Sequence, residues 1–209
     1  MTHEQSLRQK LGDRNMIRLQ SVKIGIAGAG GLGSNLAGHL ARCGFRRLKL
    51  VDFDKVELSN LDRQFYFADQ AGMPKVDALK QNLLRINPHQ DIETASQKIE
   101  RGDGAKLFCD CDIVAECLDR AESKSMLVAD VLPLGRLIVA ASGLGGWGEA
   151  DRIQVHRFRK NLVIVGDLTS DISSAPALSP RVSIAAAIQA DVILDYVIKK
   201  LDVDRREEY

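Results

Sequence analysis

Residues 22–41, VKIGIAGAGGLGSNLAGHLA, constrain the fold more than any other stretch of this chain. An apolar run leads into Gly28-Ala29-Gly30-Gly31-Leu32-Gly33, and a helical spacing of apolar residues follows. Strand, glycine turn and helix in that order make the phosphate-binding unit of a nucleotide-binding α/β fold. The glycines divide three tasks: a tight turn, close approach of the backbone to phosphate, and close packing of helix on strand. Backbone N–H groups at the helix start then face an anion, and the helix dipole favours it. A dinucleotide to be held and a triphosphate to be cut both suit such a turn. The rest of the chain has to choose between them.

Alternation continues beyond this unit. KIGIA, RLKLVDFD, DIETAS, DIVAECLD and RLIVAAS read as strands. Between them lie helices at Leu32–Cys43 (closed by Gly44), Pro74–Asn87, Asp103–Phe108 and Glu122–Val131. This predicts a Rossmann-like, doubly wound, mostly parallel sheet with right-handed crossovers. DRIQVHRF and NLVIVGD, joined at Arg159-Lys160, predict an antiparallel extension. Residues 167–180 form a crossover loop without periodicity, and Pro180 opens a long helix to about Leu201, apolar nearly all round and so buried in its middle. Before the first strand, residues 5–19 read as a basic amphipathic helix interrupted at Gly12, an N-terminal arm over residues 1–20. With 209 residues the chain is expected to form a single domain over 1–209.

Composition removes several function classes. Twenty-nine Lys+Arg against 28 Asp+Glu leave a net charge of +1, so no global field favours nucleic acid or an anionic membrane. No run reaches the roughly 18 apolar residues of a membrane helix. The N-terminus MTHEQSLRQK is too polar for a secretory signal, so the expected location is cytoplasmic. None of Cys43, Cys109, Cys111 and Cys117 makes a CxxC pair, which leaves no zinc site to expect. Cys109 and Cys111, bracketing Asp110, are expected at a reduced, partly buried strand position.

The segment 52–76, DFDKVELSNLDRQFYFADQAGMPKV, separates the two nucleotide chemistries. Asp52 closes the second strand about 20 positions after the glycine turn, the spacing of an acid that bonds ribose hydroxyls. A dehydrogenase needs little more before its next helix. Here Asn60, Arg63, Gln64 and Lys75 follow. Lys75 falls in the first turn of a helix, where the dipole disfavours a cation, and a polyphosphate between it and the glycine turn would explain it. Arg63 supplies a planar, bidentate phosphate clamp. Alone, each charge would be an ordinary solvated residue. Their convergence after a ribose acid favours triphosphate chemistry. Asp119, at the carboxyl end of DIVAECLD, can hold Mg²⁺ against phosphate oxygens, or else cap the following helix.

GAGGLGS, DFDKVELSNLDRQF, PKVDALKQNLLRINP and Asp119 together resemble the ThiF/MoeB family, bacterial relatives of ubiquitin-activating enzymes. The likeness runs from about Val22 to Asp119, with an echo in PRVSIAAAIQADVI. It implies an ATP- and Mg²⁺-dependent adenylyltransferase that activates the C-terminal glycine carboxylate of a ubiquitin-like sulfur carrier and releases pyrophosphate. Carried over by position, it places the nucleotide on Gly28, Gly30, Gly31, Gly33, Asp52, Asp54, Ser59, Asn60, Arg63 and Lys75, and the metal on Asp119. Arg63, Lys75 and Asp119 then serve the reaction itself.

The compact form, with LDRAESK after the fourth strand, is most similar to the thiamine branch and implies a ThiS-like carrier ending in Gly-Gly, with a homodimer as the assembly. Arg8, Lys10 and Arg14 are candidates for a cation lent to a partner's site. Three departures stand out: Arg120 where many members have Asn, no paired CxxC, and no cysteine in residues 167–180. From the sequence, adenylation of a small-molecule carboxylate, NAD-dependent oxidoreduction and a non-catalytic nucleotide-binding module remain alternatives.

Overall fold

The strand Lys23–Ala27 (β1), buried along its whole length, anchors the architecture. A strand buried on both faces reads as a continuous apolar run, and that requires helices above and below it. The computed structural model describes residues 1–203 and meets this requirement. β2 (Arg47–Val51), β3 (Asp91–Ala95), β4 (Ile113–Glu116), β5 (Leu137–Ala141), β6 (Gln154–Arg159) and β7 (Leu162–Gly166) complete one seven-stranded sheet of order β3-β2-β1-β4-β5-β7-β6. Every neighbouring pair is parallel except β6 with β7. The fold is therefore α/β and Rossmann-like, and its antiparallel extension is the β6–β7 pair at one edge.

Among the described residues, six α-helices cover the sheet: α1 (His3–Ser21), α2 (Gly31–Cys43), α3 (Lys75–Ile86), α4 (Asp103–Leu107), α5 (Ala121–Val131) and α6 (Ser179–Val203). One core cluster joins Leu36 and Leu40 of α2, Leu79 and Leu83 of α3 and Ile193 of α6 to Ile24, Leu48 and Leu50 of the sheet. A second cluster, around Phe108, Leu127, Val131 and Ile138, fills the other face. Burying each large side chain contributes about 1.5–3 kcal/mol. Phe108 lies so close to β1 that a side chain at Gly25 would enter its ring. α2 ends where expected, with Gly44 in the left-handed conformation (φ 97°).

α1 carries the break at Gly12, and its second half packs Met16 and Leu19 into the larger core. Thr2 and Gln5 form a reciprocal capping box at its start. Arg8 bonds Asp13 at 2.8 Å, and Arg18, buried, donates to the Ile198 carbonyl of α6 at 2.9 Å. Arg18 thus fastens the basic helix to its own domain, while Arg8 is paired within the helix.

Cys109 and Cys111 depart from expectation. They sit in the turn before β4 rather than in a strand, and Cys109 is exposed while Cys111 is buried. The reason is Asp110 between them, which accepts from Lys23 at 2.6 Å and Lys49 at 3.0 Å. Lys23 also bonds Glu93. This charged cluster joins β1, β2 and β3 on one face of the sheet and holds the turn out of the ladder. No helix among the described residues is long and apolar enough to cross a membrane.

A candidate nucleotide site at the switch point of the sheet

β1, β2 and β3 step outward in one direction, and β4 returns to pair on the other side of β1. In open α/β sheets, ligands bind in the crevice that opens where the order reverses. The turn after β1 and the loop after β4 flank that crevice here. Gly28 leaves β1 with φ +95°, and a Cβ there would stand 2.6 Å from the Cys117 carbonyl oxygen of the neighbouring loop. At Gly33 a Cβ would overlap the Gly28 carbonyl, so helix and turn are in direct backbone contact. Gly30 is different. A Cβ there would find nothing nearer than the Gln64 amide nitrogen at 4.0 Å. The protein leaves space at the one turn glycine whose neighbourhood no backbone of its own fills.

Asp52 is built into this turn. Its carboxylate accepts the Ala29 N–H at 2.6 Å and the Asp54 N–H at 2.8 Å. Lys75 opens α3 and is nearly buried. Its Nζ lies 2.8 Å from the Asp54 carboxylate, and its own N–H donates to the Asp54 carbonyl. Asp54 thus offsets a cation that the α3 dipole disfavours. Arg63 pairs with its neighbour Asp62 at 2.7 Å, and its side-chain stem lies 3.6 Å from where a Cβ on Gly31 would be. Ser59 and Asn60 belong to a 3-10 turn, Leu58–Asn60, and bond mainly within it: Asn60 Oδ1 accepts the Glu57 N–H, and Ser59 Oγ donates to the Glu57 carboxylate. The fold therefore brings the glycine turn, Asp52, Asp54, Arg63 and Lys75 to one side of the crevice.

Asp119 belongs to the loop after β4, whose Cys117 and Leu118 stand against Gly28. β4 ends at Glu116, so Asp119 stands in a bend beyond the strand rather than at its end, and it is exposed. Arg120, not Asp119, occupies the N-cap position of α5, without a side-chain capping bond. The loop between is held by Glu116, which accepts the Leu118 N–H at 2.7 Å and pairs with Lys124. Burial raises the Glu116 pKa, against the pull of the Lys124 charge.

Sequence reasoning missed Ser34, Asn35 and Tyr66. Tyr66 Oη donates to the Ala29 carbonyl at 2.7 Å and lies 3.3 Å from that of Lys75. Burial, with the charges of Asp52 and Asp54, pushes its pKa far above the usual phenol value, so it remains a donor. Ser34 and Asn35 are a polar pair inside an otherwise apolar helix pattern, and that interruption was the available signal. Nothing in the chain's local pattern marks Tyr66, because its partner lies 37 positions away.

Comparison with known proteins decides the family. The ThiF family profile matches residues 3–207. The chain belongs to the ThiF family. This ThiF-family chain is 33% identical over 181 residues to the molybdopterin-synthase adenylyltransferase of Haemophilus influenzae, covering 83% of this chain and 73% of that protein. It is 34% identical over 139 residues to the adenylyltransferase and sulfurtransferase UBA4 of Eremothecium gossypii, covering 66% of this chain and 31% of that protein. The ubiquitin-like modifier-activating enzyme 5 of Drosophila persimilis is 38% identical over 128 residues, 56% of this chain and 33% of that one. The chain thus spans about a third of the length of the last two relatives. Among solved structures, the E. coli tRNA N6-threonylcarbamoyladenosine dehydratase in complex with AMP shares the fold, with a TM-score of 0.86, 94% of both chains covered and 19% identity.

Proposed function

We propose that this ThiF-family chain is an ATP-dependent adenylyltransferase that activates the C-terminal carboxylate of a small ubiquitin-like sulfur carrier and releases pyrophosphate. The observation that carries the reading is the opening at Gly30, beside an anchored acid and two cations. A nucleotide fits these residues. Asp52 would hold ribose hydroxyls while fixed to the turn itself. The N–H groups at the start of α2 would face phosphate. Arg63 and Lys75 would neutralise charge that shifts as the α-phosphate is attacked.

The carrier carboxylate is already ionised at neutral pH and needs no general base. Its oxygen bonds the α-phosphorus, the bond to the bridging oxygen breaks, and pyrophosphate leaves with that electron pair. Positioning and charge neutralisation supply the acceleration.

Magnesium fits the donor set in a limited way. Among the described residues no group of three or more His, Cys, Asp or Glu could close around a metal. One exposed carboxylate, Asp119, with phosphate oxygens and water is the set that Mg²⁺ prefers. Bound there, the ion would supply charge neutralisation at the phosphates. The narrower assignment is a ThiS-like carrier in thiamine thiazole biosynthesis. It rests on the LDRAESK segment. The assembly we infer is a two-fold dimer, with α1 contributing a cation, Lys10 being exposed and Arg8 already bonded to Asp13. A cytoplasmic location suits four free thiols.

Exchange of labelled pyrophosphate into ATP, stimulated by a carrier ending in Gly-Gly, tests the proposal. Exchange driven instead by a small carboxylate would move the substrate assignment, and exchange with neither would remove the enzymatic reading.

The cysteines give a further expected result. Burial pushes the Cys111 thiol up to about 12 and raises those of Cys117 and Cys43 as well, so none of these three is a ready thiolate. Replacing each of the four cysteines by Ser or Ala is expected to leave exchange within about twofold of wild type, the usual span of substitutions that touch no working group. A carrier or persulfide trapped on any of them, seen by intact-mass spectrometry, would contradict this.

A further inference from the structure

Side chains claim the carbonyl groups of the glycine turn. Tyr66 Oη donates to Ala29 O, Ser34 Oγ to Gly30 O and Asn35 Nδ2 to Gly31 O, each at 2.7 Å. Across a planar trans peptide, the C=O and the following N–H point in opposite directions. Gly30 O also accepts the Ser34 N–H at 3.0 Å, as the first turn of α2 requires, so the N–H groups of Gly31 and Leu32 point the other way, out of the helix start. Two of the same side chains also hold a second segment. Ser34 Oγ accepts the Phe65 N–H at 3.0 Å, and Asn35 Nδ2 donates to the Arg63 carbonyl at 2.9 Å. An amide nitrogen has two hydrogens, so Asn35 serves both carbonyls at once. The flipped amide would set oxygen against two carbonyl oxygens, which fixes its orientation.

We propose that Asn35 is a positioning residue that ties the main chain at Arg63 to the glycine turn. The outward N–H groups and the Arg63 guanidinium are then set in one frame. Without the tether, Arg63 stays on a surface segment whose nearest charged partner is Asp62, next to it in the chain. What Arg63 does for the reaction rests on the adenylation reading, but the tether itself does not.

A double-mutant cycle of Asn35→Ala, Arg63→Ala and the pair tests this, read by pyrophosphate exchange and by the ATP dissociation constant from calorimetry. Alanine is the best helix former, so α2 loses no intrinsic preference. Asn35→Ala is expected to lower exchange turnover about tenfold and weaken ATP binding about threefold, the range for one lost hydrogen bond. In the Arg63→Ala background the same change is expected to cost less than about twofold, because residues acting through each other are not additive. A residue that merely supports the helix would show the same loss in both backgrounds. Additive losses, or wild-type behaviour of Asn35→Ala, would overturn the proposal. Should the alanine form fail to fold, Asn35→Ser, too short to span both carbonyls, carries the same cycle. If the wild type exchanges nothing but binds ATP, the adenylation reading falls. The cycle in the dissociation constant then decides the tether alone.

Discussion

Arg63→Ala and Lys75→Ala are each expected to remove about 2–4 kcal/mol of transition-state stabilisation from carrier-dependent pyrophosphate exchange, the scale of losing one preorganised donor. Both cations have partners in the folded chain, and a loss of activity could in principle come from a loss of stability. The geometry argues against that. Asp54, the partner of Lys75, is 46% exposed, and Asp62, the partner of Arg63, is 48% exposed. The Arg63 pair, open to water on both sides, contributes no more than about 1 kcal/mol, so unfolding of Arg63→Ala should stay close to wild type while exchange falls. Lys75 is only 7% exposed, and the variant that keeps its buried stem is the stability control there.

Lys75 carries a second lesson. Its ammonium is nearly buried at a helix start where the dipole opposes it. Asp54 supplies one negative charge, and a triphosphate would supply more. Lys75→Met, which keeps the apolar stem, should show the same loss of exchange as Lys75→Ala. Full exchange in both Arg63→Ala and Lys75→Ala would remove these residues from the mechanism.

A pair of glycine substitutions separates the fold from the ligand. Gly33→Ala places a methyl group inside the Gly28 carbonyl, and Gly28 cannot retreat because the Cys117 carbonyl stands behind it. Relief would require moving α2 away from β1, against the packing of Leu36 and Leu40 in the larger core. The expected cost is more than about 3 kcal/mol, at the upper end of overpacking effects. Gly30→Ala meets a different obstacle. Its Cβ finds no protein atom within contact distance, but φ −79° with ψ −149° lies outside the α and β regions of an L-residue. The strain is expected to cost about 1–3 kcal/mol of stability, while ATP binding weakens tenfold or more, about 1.4 kcal/mol. Denaturant unfolding and calorimetry read the two quantities. Gly30→Ala that binds ATP as the wild type does would show that the space belongs to no ligand.

Much of this protein is written locally. The glycine turn, the acid closing β2, the helix with Val76, Leu79 and Leu83 on one face and the parallel order of the sheet follow from periodicity and turn chemistry, which act over a few residues. The break at Gly12 and the stop at Gly44 are of the same kind. So is the 52–76 segment, whose residue types at fixed spacing separate this chain from a plain dinucleotide fold.

Tertiary structure decided what depends on distant partners. Asp110 pulls Cys109 and Cys111 out of the expected strand because Lys23 and Lys49, some 60 to 90 positions away, need its carboxylate. Asp119 sits in a bend because Glu116 turns inward to Lys124 and ends β4 early. Lys75 meets Asp54 across 21 positions, a pairing that spacing alone does not reveal. The clearest case is the turn itself. Its sequence specifies a glycine turn into a helix start, but which side chains pin its carbonyls, Tyr66 on Ala29, Ser34 on Gly30 and Asn35 on both Gly31 and Arg63, emerges in the folded chain. A buried carbonyl must find a donor wherever the fold supplies one, and only the folded chain brings that donor within reach.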